Sequence, residues 1–279
     1  MIKDYFSIKE NDSHKYNFSF IRITEDKPKD DALILELQKS ILRAYRTPNF
    51  LQRKKRNLDR DGLKKYIQKN VIPNKITNFD VAVRYGDFGE IFASLIIKYI
   101  QNKEPFTKLR WKYNSNKSVF GTDIVAFDSL DNPREISYYE VKTRENALKK
   151  EKEKEENKFI TVIAYKSLEQ EKFSDKESIL DFMSRLYENE GNYGKSDIFS
   201  DLVDDARVVN KTYEVFIITD SRILSKDYTP LLQTLNTIPK TITPLSLTFI
   251  FIDKIKELMT ETWDSIVEHG ATFIEENSL

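Results

Sequence analysis

The chain has 279 residues, of which 39% are hydrophobic, with 45 basic and 45 acidic side chains, two histidines and no cysteine. That is enough apolar material for a sizeable core. Without cysteine, disulfides, thiolate metal sites and cysteine nucleophiles are excluded, which fits the cytoplasm. With only His14 and His269, both near the termini, catalysis must rest on Asp, Glu, Lys, Tyr and Ser. Such a set suits hard cations that prefer oxygen ligands. No apolar run approaches the roughly 20 residues of a membrane span, and the first residues lack the apolar core of a signal peptide.

In chain order, residues 1–78 read as an N-terminal lobe. "YNFSFIRIT" alternates like a strand, and "DDALILELQKSILRAYRT" reads as a helix with an acidic start and a stop at Pro48. A basic segment follows. From Arg43 to Lys75 there are eleven cations against two carboxylates, a local charge of +9 that the rest of the neutral chain must balance. Its core, "QRKKRNLDRDGLKKY", offers Arg53, Lys54, Lys55, Arg56, Lys64 and Lys65 as nucleic-acid contacts, or equally as a solvated helix face or a protein-docking surface.

Residues 79–279 read as the second unit. "VRYGDFGEIFASLIIKYIQ" has helical spacing with a wide apolar stripe. "TKLRWKYNS", "VFGTDIVAFDS" and "EISYYEVKT" read as three strands, the last two joined by the turn "LDNPRE". The charge run "ENALKKEKEKEENK" has helix propensity, and "FITVIAY" reads as a short strand. "DKESILDFMSRLYENE" and "SDIFSDLVDDARVV" read as helices. "YEVFIITD" and "LSLTFIFID" read as buried strands, and "KIKELMTETWDSIVEHG" as a helix with Gly270 past its end. The expected class is α/β (α+β), a mixed central sheet flanked by helices. "EGNYGKSD" falls short of a phosphate loop, because the residue five before Gly194 is Asn189, so Lys195 and Ser196 read as loop and helix N-cap. Trp111 and Tyr113 sit where either core packing or base stacking is open to them.

The chemistry concentrates in the second and third strands. Glu140 and Lys142 are two apart and share one strand face, while Val141 takes the other. If the strands form a hairpin, Asp123 neighbours Glu140, with Gly121 just before it allowing a close backbone approach. Two like charges there are unfavourable unless a divalent cation binds both. Lys142 on the same face is suited to position an attacking water or steady charge on a phosphate. The alternative is a polar edge with a surface ion pair. Glu-x-Lys recurs at Glu25 and at Glu156, but only the copy at Glu140 lies inside an apolar strand preceded by another carrying Gly-x-Asp.

Asp123 followed after sixteen residues by Glu140-Val141-Lys142, on consecutive strands behind a helix, resembles the core of the PD-(D/E)XK nucleases. The resemblance implies a restriction-endonuclease-like core that holds Mg²⁺ or Mn²⁺ through Asp123, Glu140 and the carbonyl of Val141. It further implies an acidic residue from the preceding helix, for which Glu90 is the match and Asp87 the competitor. Thr122 stands where the superfamily's name has proline. The combination "RYGDFGEI", "KLRWKYNS", "FGTDIVAF" and "YYEVKTR" is similar to the nuclease subunit of the Hachiman anti-phage defence system, the HamA type. This implies a DNA nuclease held by a helicase-like ATPase partner. A non-catalytic regulatory subunit with the same fold, a restriction-type enzyme and an RNA-directed nuclease are the rival readings.

Overall fold

The computed structural model describes residues 2–12, 14–109, 122–153, 156–172, 176–204 and 206–279. Seven strands form one mixed sheet in the order β1-β2-β9-β8-β5-β4-β3. They are β1 (Phe6–Asp12), β2 (Ser19–Glu25), β3 (Glu104–Thr107), β4 (Ile124–Phe127), β5 (Glu135–Arg144), β8 (Asn210–Asp220) and β9 (Leu245–Ile252). The four central strands β2, β9, β8 and β5 are parallel, and β1, β4 and β3 pair antiparallel at the two edges. The carboxyl ends of β5, β8, β9 and β2 therefore emerge together at one end of the sheet, where open α/β folds place their ligands. The mixed sheet with helices on both faces is an α+β arrangement.

Each face carries its own core. On one side α1 (Asp31–Tyr45), α4 (Asn78–Tyr99) and α9 (Ile255–Glu275) cover Tyr139, Val141, Phe216, Ile218 and Ile250. The short helices α2 (Pro48–Lys55) and α3 (Arg60–Tyr66) add Leu51 and Leu63 to it. On the other side α5 (Ile160–Lys172), α6 (Lys176–Asn189), α7 (Tyr193–Val203) and α8 (Thr229–Asn236) cover Tyr138, Val215, Ile217 and Phe249. The alternating assignment of neighbouring residues to the two cores follows from the period of two in a strand. Residues 1–78 supply two strands of the sheet and share the first core with α4 and α9.

Several elements differ from the sequence reading. "FITVIAY" is the start of α5. Its buried positions Ile160, Ala164, Tyr165 and Leu168 recur at helical spacing once the window extends past seven residues. The charge run holds a hairpin, β6 (Glu151–Glu153) with β7 (Glu156–Lys158), whose register sets Glu151 opposite Lys158. Pro48 opens α2 behind the N-cap Thr47 as well as following α1. Asn192, three residues before Lys195, is the N-cap of α7, so Lys195 and Ser196 lie in its first turn. Gly270 is inside α9, which continues to Glu275. A Cβ there would stand 3.0 Å from Leu42 and Ile67, so the glycine is a notch for α1 packing rather than a cap. Of the expected strand "TKLRWKYNS", β3 reaches Thr107, and the part from residue 110, with Trp111 and Tyr113, lies outside the described residues.

Candidate metal centre

The turn between β4 and β5 begins the site. Asp128 accepts the backbone N–H groups of Arg134 and Glu135 and closes the connection. The hairpin pairs Ile124 with Tyr139 and Val125 with Tyr138. Continued by one residue, this register brings Asp123 opposite Glu140. The two side chains share the parity of Val125 and Tyr138, so both face the α5–α8 side of the sheet.

Contacts fix them there. The Asp123 carboxylate (Oδ2) accepts the Val141 N–H at 2.8 Å. Glu140 is buried, its side chain 2% exposed, and its Oε1 lies 2.6 Å from Nζ of Lys142, whose side chain is one-third exposed. Burial first, and then the charge of Glu140, push the Asp123 carboxyl from its ordinary 3.8 up to about 8, against the opposing pull of Lys142, the Val141 N–H and Lys108. Two carboxylates thus stand side by side, in a place that disfavours the charge of Asp123, with an ammonium reaching in from solvent. Magnesium is commonly held by one or two carboxylates, waters and a substrate phosphate, so this donor pair fits a hard divalent cation.

Lys108 escaped the sequence reading. It follows β3, whose Thr107 pairs with Ile124, so it comes level with Asp123. A second cation therefore flanks the carboxylate pair. The register of β3 against β4 reveals it.

Glu90 is not brought to this pair. It lies on α4, whose N-terminus is built by the Thr77–Asp80 capping box. That helix packs on the opposite face, the one carrying Val141 and Thr143. Gly89 makes the approach possible, for a Cβ there would stand 2.0 Å from Thr143 Oγ1 and 3.6 Å from Val141 Cγ1. The glycine beside Glu90 thus serves helix-to-strand contact. Glu90 lies near Tyr45, whose hydroxyl pKa is raised well above its ordinary value by burial and by the charges of Asp87 and Glu90. Asp87, the competitor, is buried and accepts the Tyr45 hydroxyl. Among the described residues no three His, Cys, Asp or Glu side chains gather as a metal-binding group.

The basic segment is partly spent inside the molecule. Lys64 pairs with Glu268 at 2.8 Å and Lys75 with Asp264 at 2.6 Å, while Arg60 pairs with Glu275 and Lys55 donates to the Glu275 carbonyl. The acidic outer face of α9 therefore supplies much of the balancing charge. Arg53 and Lys54 lie over the Phe50 ring, and Lys54 also over Tyr66. Arg56 and Lys65 are exposed or nearly so at the surface of α2 and α3. His269 shares a hydrogen bond with Gln38 between α1 and α9, which accounts for it structurally. Among the described residues no helix is long and apolar enough to cross a membrane.

The HamA family model matches residues 2–270 of the chain, spanning the sheet, the site and both helical layers. No curated protein matches it.

Proposed function

The chain belongs to the HamA family of Hachiman antiviral-defence subunits, and on that premise we propose that it is a divalent-metal-dependent nuclease of the PD-(D/E)XK type. It hydrolyses DNA phosphodiester bonds as the effector of a complex with a helicase-like ATPase. The observation that carries this reading is the Asp123–Glu140 pair, seated side by side just before β4 and midway along β5, with Lys142 on Glu140.

Asp123, Glu140 and the Val141 carbonyl would hold Mg²⁺ or Mn²⁺. When bound, the cation neutralises the two carboxylates and supplies Lewis-acid assistance to phosphodiester hydrolysis. The rest falls to the chain. The Val141 N–H fixes the Asp123 carboxylate and so the spacing of the pair. Lys142, one-third exposed, orients the attacking water and steadies the charge that develops on the phosphate. Lys108, level with Asp123, draws the phosphate backbone to the same spot. Glu90 stays on α4 as a member of the Tyr45–Asp87 cluster.

Plasmid cleavage with Mg²⁺ or Mn²⁺ tests the reading, using the wild type, Asp123→Ala and Glu140→Ala, each alone and with its partner subunit. Cleavage by the wild type that drops at least a hundredfold in both variants supports it. Equal cleavage in all three removes the site. A second reading, a non-catalytic subunit with this fold, draws on the Lys142–Glu140 ion pair, which satisfies Glu140 without a metal. Calorimetric Mn²⁺ titration showing no site would favour that one.

A further inference from the structure

The strand that carries Glu140 and Lys142 ends on a third charged residue of the same parity. Glu140, Lys142 and Arg144 alternate along β5, so all three take the α5–α8 side of the sheet with Tyr138. Along the strand Arg144 stands about 6.6 Å beyond Lys142 and about 13 Å beyond Glu140. The chain then turns through residues 145–150 and returns as β6. Arg144 spans that return, because its guanidinium pairs with Glu151, the first residue of β6, and donates to the Lys149 carbonyl at 3.2 Å.

These contacts leave much of the guanidinium unused. The Glu151 side chain is 45% exposed and that of Arg144 19%, and a single carboxylate so open to water holds an arginine by about 1 kcal/mol or less. Glu151 and the carbonyl occupy two of the five guanidinium N–H groups. The other three have no acceptor among the described residues. A pin for the hairpin needs one ammonium. A planar fork with donors to spare is suited to a phosphate, which it can grip through two oxygens at once. The position suits the same ligand. Lys108 lies level with Asp123, Lys142 lies on Glu140, and Arg144 continues beyond them, so cations extend past the carboxylate pair along the path of a phosphate backbone.

We infer that Arg144 exchanges Glu151 for the backbone phosphate next to the scissile one, and so positions the bound DNA strand over the metal centre. This rests on the nuclease reading above. Lys142, on Glu140, serves the scissile phosphate, whereas Arg144 lies four residues along the strand from Glu140. A contact to a neighbouring phosphate is made alike before and during the reaction, so it lowers KM and leaves kcat nearly alone.

The test compares the full chain with Arg144→Ala, Arg144→Lys and Glu151→Gln. Duplex binding in EDTA is measured over a range of salt, and KM and kcat for cleavage are measured with Mg²⁺ and the partner subunit. Melting temperatures verify that each variant folds, and Arg144→Lys keeps the ion pair if Arg144→Ala does not fold. Arg144→Ala should weaken duplex binding about fivefold or more, reduce the slope of log affinity against log salt by about one, and raise KM with kcat within about twofold. Arg144→Lys should fall between. Glu151→Gln, which frees the guanidinium, should bind at least as tightly as the wild type. Equal losses in Arg144→Ala and Glu151→Gln would show that Arg144 only pins the hairpin and would overturn the inference. Wild-type affinity, salt slope and KM in Arg144→Ala would overturn it too, with the nuclease reading intact. A chain whose binding depends on Arg144 but which cleaves nothing would remove the nuclease reading and keep the phosphate contact. A wild type that neither binds nor cleaves duplex removes both.

Discussion

Replacing Asp123 with asparagine keeps the shape and the acceptor for the Val141 N–H, and removes one of two like charges. Side chains directly opposed on antiparallel strands stand about 5 Å apart, and two unit charges at that distance repel by about 3 kcal/mol at an effective dielectric constant of about 20. Lys142 on Glu140 and the N–H on Asp123 offset part of this, leaving about 1–2 kcal/mol. The pH dependence has a definite sign. Native Asp123 keeps its proton up to about 8, whereas the unfolded carboxyl releases it near 3.8. Between those values the native state binds the extra proton, so the metal-free wild type loses stability as pH rises through that window. Below it the group contributes nothing. Asp123→Asn in EDTA should therefore be more stable than the wild type by about 1–2 kcal/mol at pH 8, a rise of about 3–6 °C in melting temperature, and by less than half as much at pH 5. Mn²⁺ at pH 8 should raise the melting temperature of the wild type and not of the variant. Calorimetric melts at both pH values are the assay. A variant less stable than the wild type at both, with no pH-dependent difference, would refute the claim that the pair is held together against its own repulsion.

Other residues make separate demands. Gly89→Ala puts a methyl 2.0 Å from Thr143 Oγ1 and should cost about 1–3 kcal/mol in urea unfolding. Thr143→Ala, which deletes an oxygen without a hydrogen-bond partner among the described residues, should recover a large part of that loss, and strictly additive penalties would contradict the contact. In the basic segment, Arg53→Glu with Arg56→Glu should weaken duplex binding and flatten its salt dependence, whereas Lys64→Ala should chiefly lower the melting temperature because Lys64 is committed to Glu268. A mobility-shift series at two salt concentrations separates the two, and equal binding losses would show that α9 does not sequester Lys64.

What could be read in advance follows the range of the physics involved. The β4–β5 hairpin was legible because its turn, its apolar runs and the two-residue period are all local, and they placed Asp123 against Glu140 and Glu140 beside Lys142. The central strands β8 and β9 were legible as continuous apolar runs. Which face a helix covers is set by distant packing. The resemblance therefore pointed to Glu90 as a metal ligand, while the fold uses the neighbouring Gly89 to seat α4 on Thr143, on the sheet face opposite the one Asp123 shares. The α5 segment begins with β-branched residues and reads as a strand until its next turn is included. The basic run looked like an isolated cluster because its counter-charges Asp264, Glu268 and Glu275 lie about 200 residues later, on α9. Lys108 depended on the register of an edge pairing, Thr107 against Ile124, which local sequence does not fix.

A crystal soaked in Mn²⁺, with anomalous scattering recorded near the manganese edge, tests the site most directly. The account predicts a peak shared by the carboxylates of Asp123 and Glu140 and the Val141 carbonyl, with Lys142 displaced from Glu140. A map with no peak there and the Lys142–Glu140 ion pair intact would contradict it.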